Sequence, residues 1–424
     1  MPVWIWEKVQ AMLREDWIKM AVGRGPSGKI HNVAGIRLSA VSAGIRYKDK
    51  LDLVLIQLSE GSKSAGVFTK NAFCAAPVVI AKSHLSSHNP RVLIINTGNA
   101  NAGTGDIGLQ DALECCQAVA EWNELEIQQV IPFSTGVIGE KLPVKKIVAG
   151  VPEALDKLDK MNWRDGAMGI LTTDTRPKLI SKQIKLADNL VTITGFAKGS
   201  GMIRPNMATM LSFVFTDALI EKETLDKMIG ELVNESFNRI TVDGDTSTND
   251  AAMLVATGKS GVPISDLDDL NKEKYTACLK SVFQELAKEL IKDAEGATKF
   301  ITVVVKEGRD KEECAKVAYC VAESPLVKTA LFASDANWGR ILAAVGRADL
   351  NNLDTRSVNI DIGGVRIVTK GNLEETYTEE KGTSAMKLDE LIISIELGRG
   401  NKQETVWTSD LSHDYVRINA DYRT

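Results

Sequence analysis

The sequence predicts an α/β protein, because strand-like and helix-like segments alternate along the chain after about residue 30. Two observations carry this prediction. Short apolar runs have the length of strands, and longer segments repeat their apolar residues at the spacing of a helix. The chain shows no internal repeat and no disordered linker that would indicate another architecture.

The predicted strands are compact apolar runs. LDLVLIQL (51–58) and RVLIIN (91–96) come first, MLSFVF (210–215) reads as a buried strand, and FITVVVKEG (300–308) is a strand with a polar end. A smaller C-terminal lobe is expected to contain VNIDIGGVRIV and LIISIELG.

The predicted helices cover 106–123, 221–237 and 270–294, where apolar residues line one face. Gly296 follows the last of them, where a C-cap glycine is expected. These elements suggest an N-terminal extension (1–29), a catalytic core (30–300) and a C-terminal lobe (301–424). The extension carries acidic residues unlike a transit or secretory signal, and an alternative start at Met20 would make its first part dispensable.

Composition disfavours several classes of function. The net charge of −5 and the absence of a basic stripe argue against a nucleic-acid partner. No apolar run reaches the roughly 18 residues that cross a bilayer, so we expect a soluble, cytoplasmic protein. The six cysteines form no CxxC pair and are expected to be buried in a reducing compartment, with no metal site among them.

The most informative segment is FAKGSGMIRPNMATMLSFVF. Gly199 and Gly201 permit backbone shapes that other residues resist, and Pro205 fixes the chain further. Thr209 then stands at the head of a buried strand. Its hydroxyl could attack the Ala208 carbonyl and cut the chain, which would give the new terminal threonine its own amine as general base. The competing interpretation is an ordinary turn into a core strand.

Four further motifs are weaker. PFSTGVIGEKLP predicts a turn at Thr135 and Gly136 that could stabilise an oxyanion. The glycine-rich NTGNANAGTGDIG lacks the features of a dinucleotide site, so its asparagines are expected to shape an active site. VDGDTSTND (242–250) lacks the glutamate of a calcium loop and is interpreted as a hydrogen-bonded turn. His84 and His88 precede Asn-Pro, which indicates a loop with solvated histidines.

Together the motifs resemble the ornithine acetyltransferase family, also called glutamate N-acetyltransferase, of arginine biosynthesis. The matching stretches include GVFTKNAFCAAPV, ILTTDT, AKGSGMIRPNMATML, EGATKF, SDANWGRI and YVRINADYRT, and they run from about residue 34 to the end of the chain. The resemblance implies a layered α/β sandwich of the self-processing N-terminal-nucleophile type. It also implies a dimer of cleaved α/β units, a heterotetramer.

The same resemblance implies the site residues. Thr209 would be the nucleophile after cleavage from Ala208, and Thr135 and Gly136 the oxyanion hole. The implied substrate contacts are Thr172, Lys198, Thr209, Glu295, Asn419 and Thr424. Lys198 can attract a carboxylate and Glu295 an ammonium group, and the chain end would be tied down by contacts at the site.

The implied reaction moves an acetyl group from N-acetylornithine to glutamate through Thr209, with ornithine as the released product. No bound cofactor is expected. Acetyl-CoA is expected as a second acetyl donor, although no residue decides this. Two other classes stay open. A self-processing aminopeptidase or amidase would use the same nucleophile with water as acceptor, and a non-catalytic or nucleotide-binding protein would leave the chain uncut.

Overall fold

The computed structural model describes residues 21–186, 188–204 and 210–421. By its internal contacts the chain divides into two compact units. The larger unit comprises Pro26–Asn238 and Asp245–Leu290. The smaller unit contains, within the described part of the chain, residues 21–25, 239–244 and 291–421. Most of the N-terminal extension, residues 1–20, lies outside the described residues.

The larger unit contains two mixed sheets, whose strands are β1 (Ile36–Val41), β2 (Leu53–Leu58), β3 (Lys63–Phe68), β4 (Val92–Asn99), β5 (Val130–Val137), β6 (Lys178–Leu186), β7 (Asn189–Lys198), β8 (Leu211–Thr216) and β10 (Ala251–Ala256). The first sheet has the order β1-β2-β4-β5, in which β4 and β5 are parallel and the other pairs antiparallel. The second has the order β3-β10-β8-β7-β6, in which only β10 and β8 are parallel.

The helices of this unit are α1 (Ala76–Ser87), α2 (Gly105–Asn123), α3 (Val144–Asp156), α4 (Trp163–Gly169), α5 (Lys222–Asn234) and α6 (Asp269–Lys292), the last of which continues two residues into the smaller unit. Short 3-10 turns lie at Ile127–Gln129, Phe237–Arg239 and Ile264–Asp266.

The two sheets pack face to face because their strands are apolar on both sides. Val54 and Ile56 of β2 belong to the cluster between the sheets, together with Phe213 of β8. Phe133 of β5 meets Phe213 edge-on, with ring centroids 5.0 Å apart. Strands that are buried on both faces read as continuous apolar runs, which is why these segments lack a polar-apolar alternation.

Helices cover the outer faces. Leu53 and Leu55, which point away from the second sheet, pack with Cys116 of α2 and Ile147 of α3. On the opposite side, Tyr275 of α6 is fully buried and donates its hydroxyl to Thr216 of β8 at 3.4 Å. The larger unit is therefore a four-layer helix-sheet-sheet-helix sandwich, and the predicted layered α/β fold is confirmed.

The smaller unit is built on a seven-stranded sheet of order β14-β13-β12-β15-β11-β16-β9. Its strands are β9 (Ile240–Thr241), β11 (Phe300–Gly308), β12 (Asn359–Ile362), β13 (Val365–Thr369), β14 (Asn372–Leu373), β15 (Glu390–Glu396) and β16 (Lys402–Ser409). Its helices are α7 (Lys311–Ala322), α8 (Pro325–Phe332), α9 (Trp338–Gly346), α10 (Glu379–Met386) and α11 (His413–Ala420), with a 3-10 turn at Thr355–Ser357.

One face of this sheet is covered by helices. Val303 of β11 and Ile393 of β15 pack with Val317 of α7 and Ile341 of α9. Strand β9 joins the sheet edge in parallel with β16, through Ile240 opposite Trp407. A segment far from the rest of this unit in sequence thereby becomes part of its sheet.

The predicted elements agree with the observed ones to within a few residues at their ends. Strands at 51–58, 210–215 and 300–308 are β2, β8 and β11, and helices at 106–123, 221–237 and 270–294 are α2, α5 and α6. Strand β4 is longer than the predicted 91–96, since it continues to Asn99. Sheet pairing with β5 extends it beyond the apolar run.

Candidate active site

The proposed oxyanion residues lie at the end of strand β5. Thr135 is buried and Gly136 follows it within the strand, so the turn predicted for this segment is wrong. Pairing with the parallel strand β4 outweighs the turn propensity of Ser-Thr-Gly. The register shifts at Asn99, which pairs with both Thr135 and Val137. This irregularity re-aims the backbone at the strand end, as bulges beside active sites do.

The predicted cleavage junction, Ala208–Thr209, lies outside the described residues, which stop at 204 and resume at Met210. The strands on either side of it are described. Lys198 ends β7 and is paired in antiparallel register with Leu211, which begins β8. The junction therefore lies, in sequence, between two neighbouring antiparallel strands of one sheet.

Two residues at the start of that segment have a positive φ. Gly199 has a φ of +144°, as the two-glycine pattern predicted. Met202, which carries a side chain, also has a positive φ, of +53°. The prediction is thus confirmed for Gly199. Residues with a Cβ adopt this conformation only when their surroundings hold them there.

A buried carboxylate organises the surroundings of Lys198. Asp174 accepts hydrogen bonds from the amide of Thr172 at 3.1 Å, from the amide of Gly199 at 2.7 Å and from Lys178. Burial alone would raise the pKa of Asp174, but the charges of Lys178 and Lys198 and these hydrogen bonds hold it well below its usual range. Asp174 is therefore a permanent anion at neutral pH.

This cluster brings together two of the predicted substrate contacts. Lys198 donates from Nζ to the Thr172 hydroxyl at 3.3 Å. Asp174 lies in the ILTTDT motif, but neither Asp174 nor Lys178 was among the predicted site residues. The sequence feature that indicates them is an aspartate four residues before a lysine, with the lysine at the start of strand β6.

In the smaller unit, Glu295 and Asn419 are hydrogen-bonded. Asn419 of α11 donates from Nδ2 to Glu295 Oε2 at 2.8 Å and to the Tyr415 carbonyl at 3.0 Å. The Tyr415 hydroxyl in turn donates to Asp243 at 3.0 Å. Helix α11 thus contacts Glu295 through Asn419, while the predicted contact Thr424 lies outside the described residues.

Gly296 allows α11 to come this close. It is not the C-cap that the sequence suggested, because α6 ends four residues earlier at Lys292. Its φ is +68°, and a Cβ there would lie 2.6 Å from both the Ser412 hydroxyl and the Tyr415 amide nitrogen. Only glycine fits, since any side chain would displace the start of the terminal helix.

The predicted site residues therefore fall into two described groups. Thr135, Gly136, Thr172 and Lys198 belong to the larger unit, and Glu295 and Asn419 to the smaller one.

The histidine motif differs from its prediction. His84 is not a solvated loop residue, because α1 continues to Ser87 and buries it, with Nδ1 2.8 Å from the Val130 carbonyl oxygen.

The cysteines differ in part from their prediction. The six cysteines are free, as expected, but only three are buried, whereas Cys74, Cys278 and Cys320 are half-buried. Segment 245–250 is hydrogen-bonded, as expected; Thr69 donates to the Ser247 carbonyl at 2.8 Å.

Comparison with known proteins decides the family. Residues 37–424 match the ArgJ family. The chain belongs to the ArgJ family. The arginine biosynthesis bifunctional protein ArgJ of Pseudomonas syringae pathovar tomato is 51% identical over 406 residues, which cover 96% of this chain and all of that protein. The family predicted from the motifs is thereby confirmed.

Two solved structures match part of this ArgJ-family chain. ArgJ from Bacillus halodurans is 39% identical and covers 50% of this chain and 99% of its own, with a TM-score of 0.48. Ornithine acetyltransferase from Mycobacterium tuberculosis, in complex with ornithine, is 36% identical and covers 41% and 93%, with a TM-score of 0.38.

Two properties of the described part of this ArgJ-family chain bear on cofactors and membranes. Across residues 21–186, 188–204 and 210–421, the helices are too short or too polar to span a bilayer. The same residues contain no group of three or more His, Cys, Asp or Glu side chains placed to hold a metal ion. The absence of a bound cofactor stays a prediction.

Proposed function

We propose that this ArgJ-family chain is a glutamate N-acetyltransferase that cleaves itself and then transfers acetyl groups through Thr209. The observation that carries the proposal is the family match across residues 37–424, which includes every segment assigned a chemical role. The relatives are bifunctional proteins of arginine biosynthesis, the pathway that the motifs predicted.

Self-cleavage makes the nucleophile. The Thr209 hydroxyl attacks the carbonyl carbon of Ala208, and the acyl group moves from the Thr209 nitrogen to its oxygen. This shift breaks the peptide C–N bond and frees the α-amine of Thr209. Water then hydrolyses the resulting ester, which releases the chain that ends at Ala208. That amine titrates near 7.7–8.0 in model compounds, so it can serve as general base close to neutral pH.

The transfer then proceeds in two steps. The Thr209 hydroxyl gives its proton to the α-amine and attacks the acetyl carbonyl of N-acetylornithine. Ornithine departs with that proton and leaves an acetyl ester on Thr209. The amino group of glutamate attacks the ester, N-acetylglutamate leaves, and the hydroxyl regains its proton. Both tetrahedral intermediates carry an oxyanion, which Thr135 and Gly136 are proposed to stabilise.

The remaining residues are proposed to recognise the amino-acid substrates. Lys198, whose ammonium group is next to the Thr172 hydroxyl, is suited to the α-carboxylate that ornithine and glutamate share. Glu295 is suited to an ammonium group, and Asn419, which is bonded to it, fixes its orientation. Thr424 is proposed to complete this set. The mature enzyme is proposed to be a cytoplasmic dimer of cleaved α/β units without a bound cofactor.

The test is an acetyl-transfer assay with purified protein. With N-acetylornithine and glutamate, ornithine and N-acetylglutamate should appear in equal amounts. Without glutamate, ornithine release should stop once each Thr209 carries an acetyl group. Continuous release of ornithine and acetate without glutamate would instead identify the amidase, in which water is the acceptor.

A second assay tests the donor. We propose that acetyl-CoA also acetylates Thr209, with the thiol of coenzyme A as leaving group. Acetyl-CoA and glutamate alone should then yield N-acetylglutamate and free coenzyme A. No N-acetylglutamate above background would restrict the enzyme to N-acetylornithine.

A further inference from the structure

A buried asparagine joins the two strands at the bulge beside Thr135. Asn249 is 8% exposed and donates from Nδ2 to two carbonyl oxygens, that of Ala100 at 2.6 Å and that of Ser134 at 2.9 Å. Its Oδ1 accepts the Thr248 hydroxyl at 2.6 Å. The side-chain amide therefore has partners for both of its donor hydrogens and for its oxygen.

The two carbonyls lie on either side of the bulge. Ser134 directly precedes Thr135 on β5, so its carbonyl belongs to the peptide group that contains the Thr135 nitrogen. Ala100 directly follows Asn99, the residue of β4 at which the register shifts. Holding both carbonyls at one amide group fixes the separation of the strands where their own ladder is irregular.

The backbone of the same segment also reaches strand β8. Two residues after Asn249, the amide of Ala251 donates to the Met210 carbonyl at 3.0 Å. Met210 is buried and directly follows Thr209 in the chain. A short segment thus connects the end of β5 in one sheet with the beginning of β8 in the other.

We infer that Asn249 is a positioning residue that holds Thr135 and Gly136 in place relative to the start of the nucleophile strand. The inference rests on the proposed function. Asn249 is proposed to influence the reaction only through Thr135 and Gly136. It acts by fixing the peptide group between Ser134 and Thr135, and a misplacement of about 1 Å at such a centre can cost about 10²-fold in rate.

A double-mutant cycle tests this role, with wild type, Asn249→Ala, Thr135→Ala and the double variant. Asn249→Ala should lower kcat by about 10- to 100-fold while KM for glutamate changes by less than about threefold. In the Thr135→Ala background, the same substitution should cost less, because one of the two groups that Asn249 positions is already missing. Equal factors in both backgrounds, or a loss confined to KM, would overturn the inference.

Two further variants keep the test decisive if Asn249→Ala folds poorly. Asn249→Asp preserves the shape but, when ionised, removes both donors, so it should show the same loss in kcat. Asn162→Ala is the matched control, because the Asn162 amide also donates to two carbonyls, those of Leu38 and Lys157, at a different place in the larger unit. It should retain kcat. A loss as large as that of Asn249→Ala would show that breaking any such bridge suffices.

Self-cleavage supplies a readout that needs no substrate. The half-time of precursor cleavage, followed on gels after synthesis, should lengthen in Asn249→Ala and Asn249→Asp, since cleavage passes through the same kind of oxyanion. A wild-type chain that cleaves but transfers no acetyl group would contradict the proposed function. The effect of Asn249 on the cleavage half-time could still be measured in that case. Unchanged cleavage in both variants would overturn the inference.

Discussion

Gly98 and Gly136 face each other on the parallel strands β4 and β5, and both take left-handed backbone conformations, with φ of +103° and +138°. A Cβ on Gly136 would overlap the carbonyl carbon of Gly98 and lie 2.7 Å from its Cα. The approach is possible because Gly136 has no side chain, whereas a Cβ on Gly98 would meet Arg46 instead, 2.9 Å from the Arg46 Cβ.

Gly136→Ala should therefore disturb the strand end beside Thr135. The new methyl group meets backbone, which cannot rotate away, so we expect a destabilisation of about 1–3 kcal/mol and a large loss of kcat. Thermal unfolding and steady-state kinetics measure the two effects. Gly139→Ala is the matched control, because Gly139 also has a positive φ, +83°, but a Cβ there meets no atom within 4 Å. Equal losses in both variants would assign the effect to backbone strain alone.

Thr209→Ala should remain a single, folded and inactive chain, because it has no hydroxyl to attack Ala208. Wild type should appear on a denaturing gel as two pieces, residues 1–208 and 209–424, and Edman degradation of the second should begin Thr-Met-Leu. Thr209→Ser keeps a hydroxyl and should cleave more slowly, with some activity. An intact and fully active wild-type chain would contradict the mechanism.

Glu295→Gln should weaken the binding of ornithine and N-acetylornithine. Loss of a charge-assisted contact costs about 1.5–3 kcal/mol, so KM should rise by about one to two orders of magnitude. Glutamine keeps an oxygen that can accept from Asn419, so the fold around α11 should persist. Glu312→Gln is the control, since the Glu312 side chain is 81% exposed. Similar KM values in the two variants would remove Glu295 from the site.

Lys328 should make the stability of the fold depend on pH. Its ammonium group is buried and donates to the Thr408 hydroxyl at 2.9 Å and to the Ser409 carbonyl, in the segment that leads to α11. Burial lowers the pKa of Lys328 to about 8, and the charges of Asp410, Asp243 and Glu323 only partly oppose this.

The unfolded chain therefore binds more protons than the folded one between about pH 8 and pH 10.5. The free energy of unfolding of wild type, relative to Lys328→Met, should rise with pH across that interval, by at most about 3 kcal/mol. Urea denaturation of both proteins at pH 7, 8, 9 and 10 measures it. A flat difference would show that Lys328 has an ordinary pKa, and a difference that falls with pH would show that its pKa is raised in the folded protein.

Much of the fold was predictable from local pattern. Burial on one or both faces of an element requires apolar residues at regular, short spacings in the chain. This pattern is visible in the runs 51–58 and 210–215 and in the helical periodicity of 270–294. The family was predictable for a related reason, because its motifs are short stretches of consecutive residues.

The errors arose where tertiary contacts override local preference. Thr135 and Gly136 are residue types that favour turns, but they pair with β4. His84 comes shortly before Asn-Pro, which favours a loop, but it is buried against Val130. Gly296 was expected to cap α6, yet its conformation serves the close approach of α11.

The sequence by itself determined the class of fold, the family and the segments that carry the chemistry. Only the tertiary structure decided how those segments are held. Asp174 meets Gly199, and Asn249 meets Ala100 and Ser134, across separations of 25 to 149 residues. A buried polar group is stable only when other groups satisfy its hydrogen bonds. Which distant groups do so depends on the packing of the two sheets, and no local pattern records it.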